Sequence, residues 1–213
     1  MTISHHPPEE LLAEFAAGNL EEAHQLVVGV HVAGCTRCAR FVRALEQLAG
    51  AALEEVEPVP TAPDAFDRIM SRIDELPEDT KAPPPASVTD NDVPPALRNY
   101  RIGKRRRVAP GLSMRPIELS GSGKARAFLL RSAPGSRMLE HTHTGTELTL
   151  VLEGSFSHEG GRFGPGDFDY GDDEVEHRPI VGDEGPCVCL VAMTGDLRMN
   201  GLLGRLIGPF VRL

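Results

Sequence analysis

Residues 135–154 read GSRMLEHTHTGTELTLVLEG, and their spacing decides what the second half of the chain becomes. His141 and His143 are two residues apart, so on an extended strand they face the same side. Glu147 shares their parity, with Gly145 placed for a turn between them. Three metal-capable side chains thus collect on one face. One further ligand from a neighbouring strand completes a site, and His177, in EVEHRPI, is the histidine best placed to supply it. Three imidazoles and a carboxylate suit zinc, iron(II), manganese or nickel, so a divalent transition metal is expected and its identity stays open. His158 falls at an expected hairpin tip, where solvation is the expectation.

Working outward, the same pattern continues on both sides. ARAFLL (125–130), SFSHEGGRFGPGDF (155–168) and PCVCLVAM (186–193) are short, apolar or alternating, and broken by Gly-Gly and Gly-Pro-Gly turns. An antiparallel sandwich or barrel is expected over residues 96–213. Cys187 and Cys189 share parity on one of these strands and can line its interior near the metal. As reduced thiols beside a metal they are candidates for redox sensing, and small buried core residues otherwise.

Upstream lies PEDTKAPPPASVTDNDVPP (77–95), with six prolines and almost no large apolar residue. Such a segment buries little and serves as an extended linker between domains. Before it, residues 1–76 read as helical. Pro7-Pro8-Glu9-Glu10 suits a helix start, and Leu11, Leu12 and Phe15 make a stripe that Gly18 closes. Asn19 and Glu22 have the spacing of a capping box for a second helix ending near His31. A third is predicted from about Cys35 to Glu55, with Phe41, Val42, Leu45, Leu48, Ala52 and Leu53 inward. A fourth is predicted after Pro63, with Phe66, Ile69, Met70, Ile73 and Leu76 on one face. Four helices in so short a span make a small bundle, a size at which a metal staple helps.

The staple is offered by HVAGCTRC, in which His31, Cys35 and Cys38 fall within an arc of roughly 60° on a continuous helix. Structural zinc takes four such ligands in a closed tetrahedron, and the first helix can return His6, or its neighbour His5, as the fourth.

Composition bounds the function. The chain has 213 residues, 40% hydrophobic and 25% charged, which suits a soluble protein of two small domains. No signal-like or membrane-spanning run is legible, so a cytoplasmic protein is expected, with its four cysteines reduced. Of the formal net charge of -9, residues 1–76 carry -8. That acidity disfavours direct nucleic-acid binding and favours a basic protein partner.

Two resemblances give these sites a context. Gly135-x5-His141-x-His143-x3-Glu147-x6-Gly154 is similar to the first cupin motif at every fixed position. Gly164-Pro165-Gly166-Asp167 resembles the turn of the second, although His177 lies eleven residues past Gly166 where that motif has its histidine about three past. The resemblance implies a small β-barrel with a metal held by His141, His143, Glu147 and His177. H-x3-C-x2-C, preceded by a histidine about 25 residues earlier on a short acidic helical domain, resembles the zinc-binding anti-sigma domain, whose ligand positions match His6, His31, Cys35 and Cys38.

Both motifs in this order, across a proline-rich linker, resemble the ChrR-type anti-sigma factors over essentially the whole chain. That resemblance implies a non-enzymatic inhibitor. It binds an extracytoplasmic-function sigma factor, holds it off RNA polymerase, and releases it when the cupin-like domain meets oxidative stress, notably singlet oxygen. The competing reading is a metal-dependent cupin enzyme, a dioxygenase or isomerase, with a zinc-stapled regulatory appendage. The small-molecule ligand of the cupin is not legible in either case.

Overall fold

The computed structural model describes residues 2–75, 97–121, 123–138, 141–172 and 178–199, with the side chains of 141–143 and 197–199 outside that description. The proline-rich stretch 77–95 also lies outside it. Four helices come first: α1 Glu9–Ala16, α2 Glu22–Gly34, α3 Thr36–Glu54 and α4 Ala65–Glu75. Pro8 precedes α1, and Gly18, at φ 71°, turns the chain after it in the left-handed region that glycine adopts without strain. Helices α2 and α3 meet at Cys35, whose extended backbone (φ -117°, ψ 106°) makes the corner.

The expected capping box does not form. The residue before α2 is Glu21, with no side-chain cap. Glu22 instead reaches the other half of the chain, accepting from the Gly121 amide at 2.7 Å and the Ser120 hydroxyl at 3.0 Å. Glu21 accepts from the Ala125 amide at 2.9 Å. A negative charge at a helix N-terminus is favourable in itself, and here it also clamps a loop that would leave amides unpaired.

The four-helix bundle is likewise revised. Helices α1, α2 and α3 pack on one another, but α4 buries none of its residues. Phe66, Ile69, Met70 and Ile73 are all exposed, as are Leu48 and Leu53 on the second half of α3. The periodicity that predicted these residues on one face was sound; the face simply has no partner within the described chain.

The remainder is antiparallel β structure in three sheets. The largest runs β1 (Arg101–Ile102), β3 (Leu112–Glu118), β4 (Arg126–Ser132), β11 (Cys187–Met193), β6 (Glu147–Glu153), β9 (Phe168–Gly171), with β2 (Arg106–Ala109) also on β3. β10 (Ile180–Val181), β7 (Phe156–His158) and β8 (Gly161–Phe163) make a second, and β12 (Leu197–Met199) pairs with β5 (His141–His143). Among the described residues the sheets do not close into the barrel that was expected.

Strand β11 lies at the centre and is buried along its whole length. Its Leu190 and Ala192 join Ala127, Leu129, Leu148 and Leu150 in a cluster that also holds Ala23, Leu26, Val27 and Val28 of α2. Its Cys187, Cys189, Val191 and Met193 join Phe128, Val151, Phe156 and Phe163 on the opposite face. That is why CVCLVAM is apolar without alternation: both faces of the strand are covered. The two halves of the chain therefore share one core through α2, and are more than tethered.

Leu190→Ala is expected to cost about 2–5 kcal/mol in chemical denaturation, because the cavity opens between α2 and the sheet. Leu53→Ala, at an exposed site, is expected to stay within about 0.5 kcal/mol.

Candidate metal centre

His6, His31, Cys35 and Cys38 meet in a group whose ligand atoms all lie within 4.8 Å of one another. The N-terminal arm supplies His6, the last turns of α2 supply His31, the corner supplies Cys35 and the first turn of α3 supplies Cys38. Three of the nitrogen–sulfur edges are His31 Nε2 to Cys38 Sγ at 3.3 Å, His6 Nδ1 to Cys35 Sγ at 3.4 Å and His6 Nδ1 to Cys38 Sγ at 3.5 Å. A tetrahedral zinc, with bonds of about 2.0 Å to nitrogen and 2.3 Å to sulfur, requires such edges to be about 3.5 Å. The group fits a tetrahedral divalent ion.

Electrostatics point the same way. Burial holds His31 down to about 4, so its imidazole is neutral and available as a ligand. Its Nδ1–H donates to the Gly166 carbonyl at 3.0 Å, which fixes the tautomer and turns Nε2 toward Cys38. Burial, ahead of the neighbouring Cys35, pushes the Cys38 thiol up to about 12 without a metal. A dication is what makes two thiolates tolerable in so dry a place.

Of the two adjacent histidines, His6 reaches the cluster and His5 does not. The His5 ring packs on Phe163, with centroids 4.2 Å apart, and its Nδ1 lies 3.6 Å from Asp167. Asp167 was read only as part of a turn. It is 5% exposed and accepts from the Ser4 and His5 amides at 2.7 and 2.9 Å and from the Gly164 amide at 2.8 Å. Burial alone would raise its pKa; those hydrogen bonds outweigh it and keep the carboxyl ionised.

The second expected site is only partly described. His141 and His143 sit at the two ends of β5, paired with Met199 and Leu197. Their side chains, and His177 altogether, lie outside the described residues. Glu147 opens β6 opposite Gly171 and Met193, and accepts a 2.9 Å hydrogen bond from Thr149. It lines a cavity of about 40 Å³ with Thr149, Asp169, Cys187 and Cys189. Those two sulfurs are 3.6 Å apart. The hydrogen bond from Cys189 holds Cys187 below the ordinary thiol value, and the same bond, with burial, holds Cys189 well above it.

His158 is not solvated as expected. Its side chain is 7% exposed, stacked on Phe163 and Phe156, and its Nε2 donates to Asp169 at 3.0 Å. Phe156 lies on its own strand, but Phe163 comes from β8 and Asp169 from β9, and the last is beyond the reach of a local reading of the hairpin.

A helical module with a Cys2His2 metal group, seated on a cupin-like sheet, defines the class. Residues 104–195 match the family model of the ChrR cupin-like domain. The whole chain is similar to the anti-sigma-E factor ChrR of Cereibacter sphaeroides, at 37% identity and with all of both chains covered. It is also similar, at 32% identity and a TM-score of 0.74, to a chain in the crystal structure of Rhodobacter sphaeroides SigE in complex with the anti-sigma ChrR, over 90% of this chain and 99% of that one. An RmlC-like cupin protein from Ralstonia eutropha JMP134 is similar over 48% of this chain and 69% of that one, at 19% identity and a TM-score of 0.43, too distantly to bear on function. The chain belongs to the ChrR family of anti-sigma factors.

Acid should release a metal from the first group. His31 takes up a proton near 6.5 when unfolded and only near 4 when folded. The stability it confers is therefore full above about 6.5 and is lost as pH falls toward 4. Protons also compete directly for the ligand lone pairs. Cobalt(II) substituted into the site should lose its thiolate charge-transfer band over this window, and Cys38→Ser should weaken metal binding at least a hundredfold at neutral pH.

Proposed function

We propose that the chain binds and sequesters an extracytoplasmic-function sigma factor, keeping it from RNA polymerase. The observation that carries this reading is the apolar face of α4, Phe66, Ile69, Met70 and Ile73, which is exposed among the described residues, as are Leu48 and Leu53 of α3. Apolar surface of this kind marks a protein-binding site. It stands on an acidic segment, which suits a basic partner that itself binds nucleic acid, and a relative of this family is crystallised with SigE.

The division of labour follows the sequence: residues 1–76 inhibit, 77–95 link and 96–213 sense. Zinc in the His6–His31–Cys35–Cys38 group would hold the arm, α2 and α3 in register and supply no chemistry beyond that. In the cupin-like part, His141, His143, Glu147 and His177 are the ligand set for zinc or another divalent transition metal, and Cys187 and Cys189 are the oxidisable thiols near it. Oxidative stress, singlet oxygen foremost, is the releasing signal on this reading. No described helix is long and apolar enough to cross a membrane, and a partner that works on polymerase implies a cytoplasmic site of action.

The test is inhibition of transcription by the sigma factor with the purified full chain. Phe66→Glu combined with Ile69→Glu should weaken the complex by at least a hundredfold, read by titration calorimetry, while zinc content and melting temperature stay at wild-type values. Undiminished binding by that variant would remove α4 from the interface.

A further inference from the structure

The helices alone do not complete the metal site. Its fourth ligand, His6, sits on an arm that precedes α1 and has no regular secondary structure. An arm of that kind is held in place only by what it touches, and it touches the turn between β8 and β9. The Asp167 carboxylate accepts from the amides of Ser4 and His5, the two residues just before His6, and from the Ser4 hydroxyl. The Phe168 amide donates back to the His5 carbonyl at 3.2 Å. Gly166, at φ 89°, lies so close to the arm that a Cβ there would come within 2.8 Å of Ile3.

The same turn reaches a second ligand. The Gly166 carbonyl orients His31, and the Phe168 ring meets the His31 ring edge-on with centroids 5.6 Å apart. Three consecutive residues of the sheet domain thus position both histidines of the group, while the α2–α3 corner and α3 carry the cysteines. One residue further, Asp169 turns to the opposite face, where it pairs with His158 and lines the cavity that holds Glu147 and the two thiols.

We propose that the turn Gly164–Asp167 of the cupin-like domain is the outer shell of the His6–His31–Cys35–Cys38 zinc site, so that zinc retention in the inhibitory module depends on the conformation of the sensing domain. Asp167 is a positioning residue in this arrangement: it touches no metal ligand's donor atom, and acts by ordering the backbone that presents His6. Because β9 has residues on both faces, a change around Asp169 reaches the zinc site through one strand. Hydrogen-bonded outer shells of metal sites change affinity by about 10–100-fold when removed, which sets the scale.

The inference rests on reading the four-residue group as a zinc site, and one experiment separates the two. Zinc release from the full-length protein into an excess of a chromogenic chelator is followed for wild type, Asp167→Ala, Asp167→Asn and Ser4→Pro. Ser4→Pro removes the Ser4 amide hydrogen and hydroxyl from the arm while leaving the bond from Gly164 to Asp167 in place. Asp167→Ala and Ser4→Pro are expected to release zinc about tenfold faster or more. Asp167→Asn, which retains an Oδ1 acceptor for both arm amides, should fall between them and wild type. Stripping zinc from the wild type should also speed hydrogen exchange at the Phe168 amide, in the other domain. Equal release rates for wild type and Ser4→Pro, each melting cooperatively, would overturn the inference whether or not Asp167→Ala folds. A wild-type chain that holds no zinc would overturn the metal site itself.

Discussion

Helix α2 has to be buried on opposite sides at once, and most of the architecture follows from that. One side of Ala23, Leu26, Val27 and Val28 meets α1 and α3, and another meets the outward face of β4, β6 and β11. Neither the three short helices nor an open sheet has apolar surface enough on both sides to stand dry alone. Docking α2 across the sheet removes both deficits together. It also brings the β8–β9 turn within hydrogen-bonding distance of the N-terminal arm.

Polar contacts then fix the position that apolar burial leaves loose. Glu21 and Glu22 hold the loop after β3 at one end of α2, and His31 holds Gly166 at the other. Burial is non-directional and would tolerate a helix that slides along the sheet. Hydrogen bonds from both ends to fixed backbone groups do not, and a change of register would leave the part-buried Ala125 amide and His31 ring unpaired.

The elements and the first metal group were legible because their signals are local. Proline before Glu9, glycine at 18, and the H-x3-C-x2-C spacing each work within a few residues of themselves. Long-range partnerships were not legible. Glu22 has the spacing of a capping box, yet its carboxylate bonds to Gly121, 99 residues away. His158 looks like a hairpin tip, yet Asp169 and two phenylalanines enclose it. The choice of His6 over His5 depends on Phe163 and Asp167 taking the His5 ring. The stripe on α4 was read correctly as one apolar face, and Leu48 and Leu53 of α3 wrongly as inward, since periodicity reports which residues share a face and says nothing of what that face meets.

That stripe has a consequence for supply and turnover. Phe66 at 71% exposure and Ile69 at 57% are costly to leave in water, and in a crowded cell they invite self-association and recognition by quality-control proteases. A chain built this way is safest when made in step with the protein that covers it. Its abundance would then be set by its partner's, and a surplus of inhibitor would be cleared without any dedicated signal.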